Sequence, residues 1–150
     1  MFTFRASCHL DMLLMTHIWY HHSGCELFGA WMPDHAGSLP MQTIVPDEFV
    51  QDCREKALAH ARSITRLTEK VLGMEPSHLF RDAWFGVCLM DSTRIQLAAL
   101  PAEMVHESAK AEISLVNNLK THVRALENTQ STLPLAAKIV SDMVNHQFMC

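Results

Sequence analysis

The stretch LFRDAWFGVCLMDSTRIQLAALP, residues 79–101, decides the fold of this 150-residue chain. It opens near Asp82, a residue type that caps helix N-termini, and closes at Pro101, which cannot continue a helix interior. The apolar residues between them cover most of a 3.6-residue helical wheel, as in a helix buried on most sides. About 18 residues is the short limit for a membrane span, and Asp91 and Arg94 interrupt the run. The stretch therefore predicts the central core helix of an all-α domain.

Asp91 and Arg94 form the polar seam of this predicted helix. They are three positions apart, on one face, where opposite charges can pair. A charge inside a core has to be paired, so we expect a structural ion pair that specifies how the neighbouring helices dock. A contact to a ligand or effector is the alternative. The hydroxyls of Ser92 and Thr93 can bond back to carbonyls of the same helix.

Composition favours a packed chain that does not hold nucleic acid by itself. Apolar residues make up 49% of the sequence, which is unlike a disordered segment. The formal net charge is −4, whereas binding to phosphates requires a basic face. Ten methionines suit an adaptable apolar surface that meets a partner.

Five cysteines, an odd number with wide spacing and no CxxC motif, predict reduced and mostly buried thiols in an intracellular protein. No secretory signal is recognisable, because the first apolar run contains Asp11 and His17 and lacks an A-x-A site. The remaining apolar runs are too short or too interrupted to predict a membrane helix.

Helical periodicity accounts for the rest of the chain, and no strand alternation or repeat is found. The predicted elements are a helix at 7–31, a proline-rich loop at 32–46, an amphipathic helix at 47–72 ended by Gly73, the central helix, a helix at about 102–127 and a last helix from about 134. We therefore expect about five helices packed as an irregular bundle, in one domain or part of one.

Three passages carry a resemblance to a known family: HIWYHHSGCELFGAWMP with SLP shortly after it, PDEFVQDCREKALAHARSITRLTEKVL, and the central stretch itself. Family members show an aromatic-histidine helix, a Leu-aromatic step, a proline loop, and a helix with a Cys and a His-Ala pair. The matching positions are Trp19 to His22, Leu27 with Phe28, Pro33, Cys53, and His60 with Ala61. The most telling passage is Trp84 to Gly86 with the Asp-Ser-Thr-Arg-Ile step after it.

In this order, the passages resemble the C-terminal part of the fungal-specific transcription factor domain, or middle homology region, over roughly residues 16–144. The resemblance implies an all-helical regulatory region of a nuclear regulator whose DNA is read by a zinc binuclear cluster. That cluster needs six cysteines in a repeated C-x2-C-x6-C pattern, which this sequence does not contain. The family domain also normally has more helices before the first one seen here. We expect the tail of such a regulator: a truncated gene product, a fragmentary gene model or a stand-alone remnant.

Two groups of histidine and cysteine residues could serve a metal site or catalysis, and each can also be explained by packing. His17, His21 and Cys25 are spaced i, i+4, i+8 on one helix face and suit zinc, although Gly24 interrupts the helix and no H-E-x-x-H general base is present. We therefore expect packing or surface roles for these three residues, with a zinc site as the alternative. Cys53 and His60 lie two helical turns apart, about 10 Å, too far for a nucleophile–base hydrogen bond.

We therefore expect core residues in place of a catalytic site: Trp84, Phe85, Gly86, Cys88, Asp91, Arg94, Ile95, Cys53 and His60. Three further histidines, His106, His122 and His146, are expected to be solvated.

The leading functional hypothesis is a non-catalytic regulatory and interaction domain of a fungal transcription factor, in the nucleus. Such a domain needs no cofactor, no membrane and no direct contact with DNA. It binds protein partners, or a second copy of itself, through apolar surface on the first and third long helices. The alternative is a stand-alone helical module in the cytoplasm that binds an apolar ligand or a protein. A third hypothesis is an enzyme or metalloprotein that uses the histidine-rich first helix.

Overall fold

Four helices make up most of the computed structural model, which describes residues 2–32, 45–74, 82–106 and 109–128. They are α1 (Phe2–Gly29), α2 (Asp47–Leu72), α3 (Ala83–His106) and α4 (Ala109–Asn128). No strand occurs within these ranges, so the predicted all-α class is confirmed. The described residues hold four helices where the sequence predicted about five, and the helix predicted from about residue 134 lies outside them.

The bounds of α2 agree with the prediction at both ends. Asp47 and Glu48 lie in its first turn, where carboxylates compensate the partial positive charge of the exposed backbone N–H groups. At the other end, the N–H of Gly73 donates to the carbonyls of Glu69 at 3.1 Å and Lys70 at 3.2 Å, which closes the last turn. The buried residues of α2 lie on one face of the helix, as expected of an amphipathic helix: Cys53, Ala57, Ala61, Ile64, Thr65, Thr68 and Val71.

The other three helices differ from the prediction at their ends. Asp82 caps α3, because its Oδ1 accepts the backbone N–H of Trp84 at 2.8 Å. The helix does not end at Pro101 but continues to His106, so α4 begins at Ala109 and not near residue 102. A proline in a helix interior forgoes one backbone hydrogen bond, and the rest of the helix retains its own. Likewise, α1 begins at Phe2 and passes through Gly24 without interruption.

Helices α2 and α3 form the centre of the bundle. Each of them packs against all three other helices of the described chain, whereas α1 and α4 flank them. The interior is built from side chains of all four helices, among them Ile18, Ile64, Phe85, Leu89, Ile95 and Leu126, which are fully buried. Within the described ranges, no helix combines the length and apolarity that crossing a membrane requires.

Most of the residues that the sequence assigned to the core lie in it. Phe85, Cys88 and Ile95 are fully buried, Gly86 and Cys53 are buried, and Asp91, Arg94 and His60 are half-buried. Trp84 differs, since 49% of its surface is exposed. It lies in the first turn of α3, where its ring meets the edge of His22 at a centroid distance of 5.8 Å. An aromatic residue at a helix start has fewer neighbours than one in mid-helix.

The lack of a side chain at Gly24 on α1 leaves room for the ring of His60 on α2. A Cβ at this position would lie 2.6 Å from three ring atoms of His60. That ring cannot easily yield, because it stacks on Phe28 with an interplanar angle of 22° and hydrogen-bonds His21. The glycine is therefore a packing requirement and not a break in the helix.

We expect Gly24→Ala to lower the free energy of unfolding by about 1–3 kcal/mol through overpacking. The matched control is Gly73→Ala, whose added Cβ would meet backbone oxygens at an ordinary 3.6 Å and should change stability by less than about 0.5 kcal/mol. Urea unfolding of both variants measures the difference. Equal stability of the two variants would contradict the close approach.

Candidate functional site

A buried polar network joins three helices in the middle of the bundle. Its members are Thr65 from α2, Ser92, Thr93 and Gln96 from α3, and Asn118 and His122 from α4. All but Asn118 are at most 1% exposed. Polar groups removed from water in this way must find partners within the protein, so the arrangement can be followed bond by bond.

The bonds of His122 fix its tautomer. The hydroxyl of Thr93 donates to the carbonyl of Leu89 at 2.8 Å, a shorter bond than the 3.4 Å from the hydroxyl of Thr65 to the carbonyl of Ala61. The oxygen of Thr93 is therefore assigned as the acceptor at its 2.9 Å contact with Nδ1 of His122. Nδ1 therefore carries the hydrogen. Nε2 is left as an acceptor and takes the hydroxyl of Thr65 at 2.9 Å. Both ring nitrogens are satisfied by the neutral imidazole.

Gln96 completes the network on the other side of Thr65. Its amide nitrogen donates to the Thr65 hydroxyl at 3.0 Å and to the Ser92 hydroxyl at 3.3 Å. Its carbonyl oxygen accepts from Asn118 at 3.1 Å. Ser92 donates across the interface to the α2 carbonyl of Ala61 at 3.0 Å, not back along its own helix as expected from sequence. Only Thr93 makes the predicted bond within α3.

Burial also determines the charge of His122. Removal from water lowers the pKa of its imidazole to about 3, so the ring is neutral at neutral pH. A base of that strength in a closed core does not abstract protons at pH 7, and its role is to connect α2, α3 and α4. The expectation that His122 is solvated was wrong. Its position between Leu119 and Leu126, on the apolar stripe of α4, was the feature of the sequence that indicated burial.

A second histidine contact joins α1 to α2. Nδ1 of His21 lies 3.0 Å from Nδ1 of His60, so one ring must donate and the other accept. Partial burial lowers the pKa of His21, and the neighbouring His60 and His17 lower it further. The ring of His60 belongs to this contact, and Cys53, two turns earlier on α2, is buried.

The predicted zinc set of His17, His21 and Cys25 is not assembled. His17 is exposed, His21 contacts His60, and Cys25 is fully buried. At about 100° per residue, eight residues leave Cys25 about 80° around the helix from His17, which separates the interior from the surface. In the described part of the chain, the potential ligand atoms that do converge belong to His22, Glu26 and Asp91.

Asp91 is the centre of this last cluster. Its Oδ2 lies 2.9 Å from Nε2 of His22 on α1, and its Oδ1 lies 3.3 Å from Nη1 of Arg94. The contact between Asp91 and Arg94 was predicted from their spacing. The contact with His22 was not, because periodicity does not show which residues of α1 face α3. Glu26 approaches the same nitrogen of His22 to 3.8 Å.

Two thiols lie close to this cluster. Burial, with a smaller contribution from the charge of Asp91, raises the pKa of both Cys25 and Cys88 to about 12. They are therefore protonated at neutral pH and are weak nucleophiles. Both are free cysteines, as the odd count and wide spacing predicted for the chain.

Searches of protein-family models, of curated proteins and of solved structures find no match for the chain. The resemblance to the fungal-specific transcription factor domain therefore stays a prediction from sequence.

The neutral state of His122 predicts a loss of stability in mild acid. Below pH 6.5 the unfolded chain takes up a proton at this position, and the folded chain does not until about pH 3. This residue alone should lower the free energy of unfolding by about 2 kcal/mol between pH 7 and pH 5. Urea unfolding at the two pH values measures the loss.

The matched variants are His122→Gln and His17→Gln. Replacing the buried histidine should flatten the pH dependence by about that amount, whereas replacing the exposed one should leave it nearly unchanged. The same pH dependence in both variants would mean that His122 is not held neutral by the fold.

Proposed function

We propose that this chain is a non-catalytic regulatory and protein-interaction domain of a fungal transcription factor, acting on transcription by RNA polymerase II in the nucleus. The observation that carries the proposal is a row of large apolar side chains on the solvent side of α1. Leu13, Tyr20 and Leu27 are 56%, 67% and 68% exposed. They are seven residues apart and therefore form one stripe along the helix, which we call the outer stripe.

Further apolar side chains widen the outer stripe, and the polar side chains beside it are hydrogen-bonded within α1. Met12 and Trp19 flank it, at 69% and 49% exposure. Thr16 and Ser23 lie on the same side of α1, between the outer stripe and these two flanking residues. Their hydroxyls donate to carbonyls of their own helix at 2.8 Å and 3.0 Å. These polar groups are satisfied within α1 and present little demand for water. The opposite face of α1 packs on α2 and α3, so the helix is apolar on two sides.

A helix with two apolar sides is suited to bind on both of them. Contiguous exposed apolar surface marks interaction sites in proteins of this size, and its burial contributes about 25 cal/mol per Å². The stripe itself carries no formal charge, so a second copy can meet it without like-charge repulsion. The occupant we propose for the chain alone is therefore a second copy of α1.

Inside the bundle, the titratable groups support a non-catalytic role. His122 is neutral and closed off, and the thiols of Cys25 and Cys88 are held protonated. Each is engaged in packing or in hydrogen bonds between helices. The net charge of −4 and the missing six-cysteine pattern favour contacts with proteins over contacts with DNA.

The alternative is a stand-alone helical module that binds an apolar ligand or a protein in the cytoplasm. The outer stripe serves that role equally well. The two hypotheses differ in whether the domain affects transcription when it is brought to a promoter.

For the stripe itself, we expect the chain to self-associate, and the double change Leu13→Glu with Leu27→Glu to weaken that association at least about tenfold, a cost of 1.4 kcal/mol or more. The control is Ile113→Glu, which places one carboxylate, against two in the stripe variant, on α4 at a residue that is 61% exposed. Sedimentation equilibrium over a range of concentrations measures the association. A monomeric parent chain, or equal weakening by the control, would contradict the role of the stripe.

For the function, we expect the chain to change expression of a reporter gene when fused to an unrelated DNA-binding domain in fungal cells. The untethered chain should have no effect, because it does not read DNA. The Leu13→Glu, Leu27→Glu variant should lose the effect, and Ile113→Glu should keep it at equal protein abundance. No change of expression by the fused parent chain would leave the binding module as the better hypothesis.

A further inference from the structure

The side chains of His22, Glu26 and Asp91 converge at the interface of α1 and α3, with their ligand atoms within 4.8 Å of one another. We propose that they bind a divalent transition metal, with Zn²⁺ as the occupant. The site differs from the set predicted on α1 alone, and it does not depend on the proposed regulatory function. Its ligands are one imidazole nitrogen and two carboxylate oxygens, a donor set that zinc accepts.

The distances at His22 fit a metal without movement of the backbone. Zinc lies about 2.1 Å from nitrogen and carboxylate oxygen ligands. Two ligand atoms that far from one ion subtend about 90° when they are 2.9 Å apart, as for His22 and Asp91, and about 130° at 3.8 Å, as for His22 and Glu26. These angles lie on either side of the tetrahedral value. The exposed Glu26 side chain can make the remaining adjustment.

Glu26 is the residue that a simple ion pair leaves unexplained. The contact of His22 with Asp91 at 2.9 Å is a hydrogen bond in its own right. Glu26 directs a carboxylate oxygen at the same nitrogen from 3.8 Å, too far for a hydrogen bond. Two carboxylates around one nitrogen form a converging donor set that a cation completes. His22 and Glu26 are spaced i, i+4, so one helix face presents both.

Charge and burial also suit a divalent ion. A neutral imidazole and two carboxylates balance a 2+ charge, and the side chains of His22 and Asp91 are only 10% and 13% exposed. Arg94 contacts the other oxygen of Asp91 at 3.3 Å, which orients that carboxylate as outer partners of metal ligands do. The side chain of Glu26 is 57% exposed and leaves the fourth position open toward solvent. Metal binding would tie α1 to α3.

The test is titration of the chelator-treated chain with Co²⁺, followed by displacement with Zn²⁺. We expect visible d–d absorption without the thiolate-to-cobalt charge-transfer band that a cysteine ligand produces. Zn²⁺ should also raise the thermal unfolding midpoint of the parent chain, since it binds the folded state.

Two variants and a control locate the ion. Glu26→Gln and Asp91→Asn should each lower the affinity for Zn²⁺ at least about tenfold and reduce the rise in unfolding midpoint. Glu69→Gln, an exposed change on α2, should alter neither. Because Glu26 is exposed, its variant should remain folded even if the Asp91 variant does not.

Several outcomes would overturn the proposal: no binding of either metal, unchanged affinity in Glu26→Gln, or a strong thiolate charge-transfer band. Loss of binding in His60→Gln with full binding in Glu26→Gln would also overturn it, because the ion would then lie at the contact between His21 and His60.

Discussion

Six polar side chains form the hydrogen-bonded network between α2, α3 and α4, and the bundle depends on every one of them having a partner. An unpaired polar group there would cost about 1–3 kcal/mol. His122 is the hub, since its two nitrogens hold Thr65 of α2 and Thr93 of α3 at the same time. Apolar packing alone would allow the helices to slide or rotate against one another. The hydrogen bonds make one register of the helices more stable than the others. Buried polar groups specify the arrangement of helices in the same way in other helical proteins.

The sequence predicted the parts of this fold that follow from local pattern. The 3.6-residue period of α2, its acidic first turn and Gly73 defined that helix to the residue, and Asp82 marked the start of α3. The end of α3 was missed, because the rule that proline ends helices was applied at Pro101, whereas the helix continues to His106. Gly24 was interpreted as a kink, since nothing in α1 reveals that the ring of His60 lies over it.

The candidate sites were harder to predict than the fold, for a physical reason. Asp91 and Arg94 could be paired from sequence because they share a helix, whereas the partner of Asp91 on α1 depends on how two helices are rotated about their axes. That rotation places His22 inward, against Asp91, and leaves His17 exposed, so the candidate set of His17, His21 and Cys25 is not assembled. The role of His122 was also missed, although its place on an apolar stripe was visible. Charge and periodicity predict which face of a helix is buried, but not which side chains of the neighbouring helices contact that face.

The hydrogen bonds of the core run in one direction, from the Gln96 amide through Thr65, His122 and Thr93 to the carbonyl of Leu89. The carbonyl of Leu89 is the final acceptor, and this direction is favoured because the bond of Thr93 to that carbonyl, at 2.8 Å, is shorter than the 3.4 Å bond of Thr65 to the carbonyl of Ala61. If one of these residues is replaced by an apolar one, its neighbours lose a hydrogen-bond partner and the fold is destabilised. If the whole set is replaced by apolar side chains of equal volume, the free energy of unfolding can stay nearly the same. Over evolutionary time such a core is inherited as a unit. Descendants of this chain should keep all of these polar residues or lose them together.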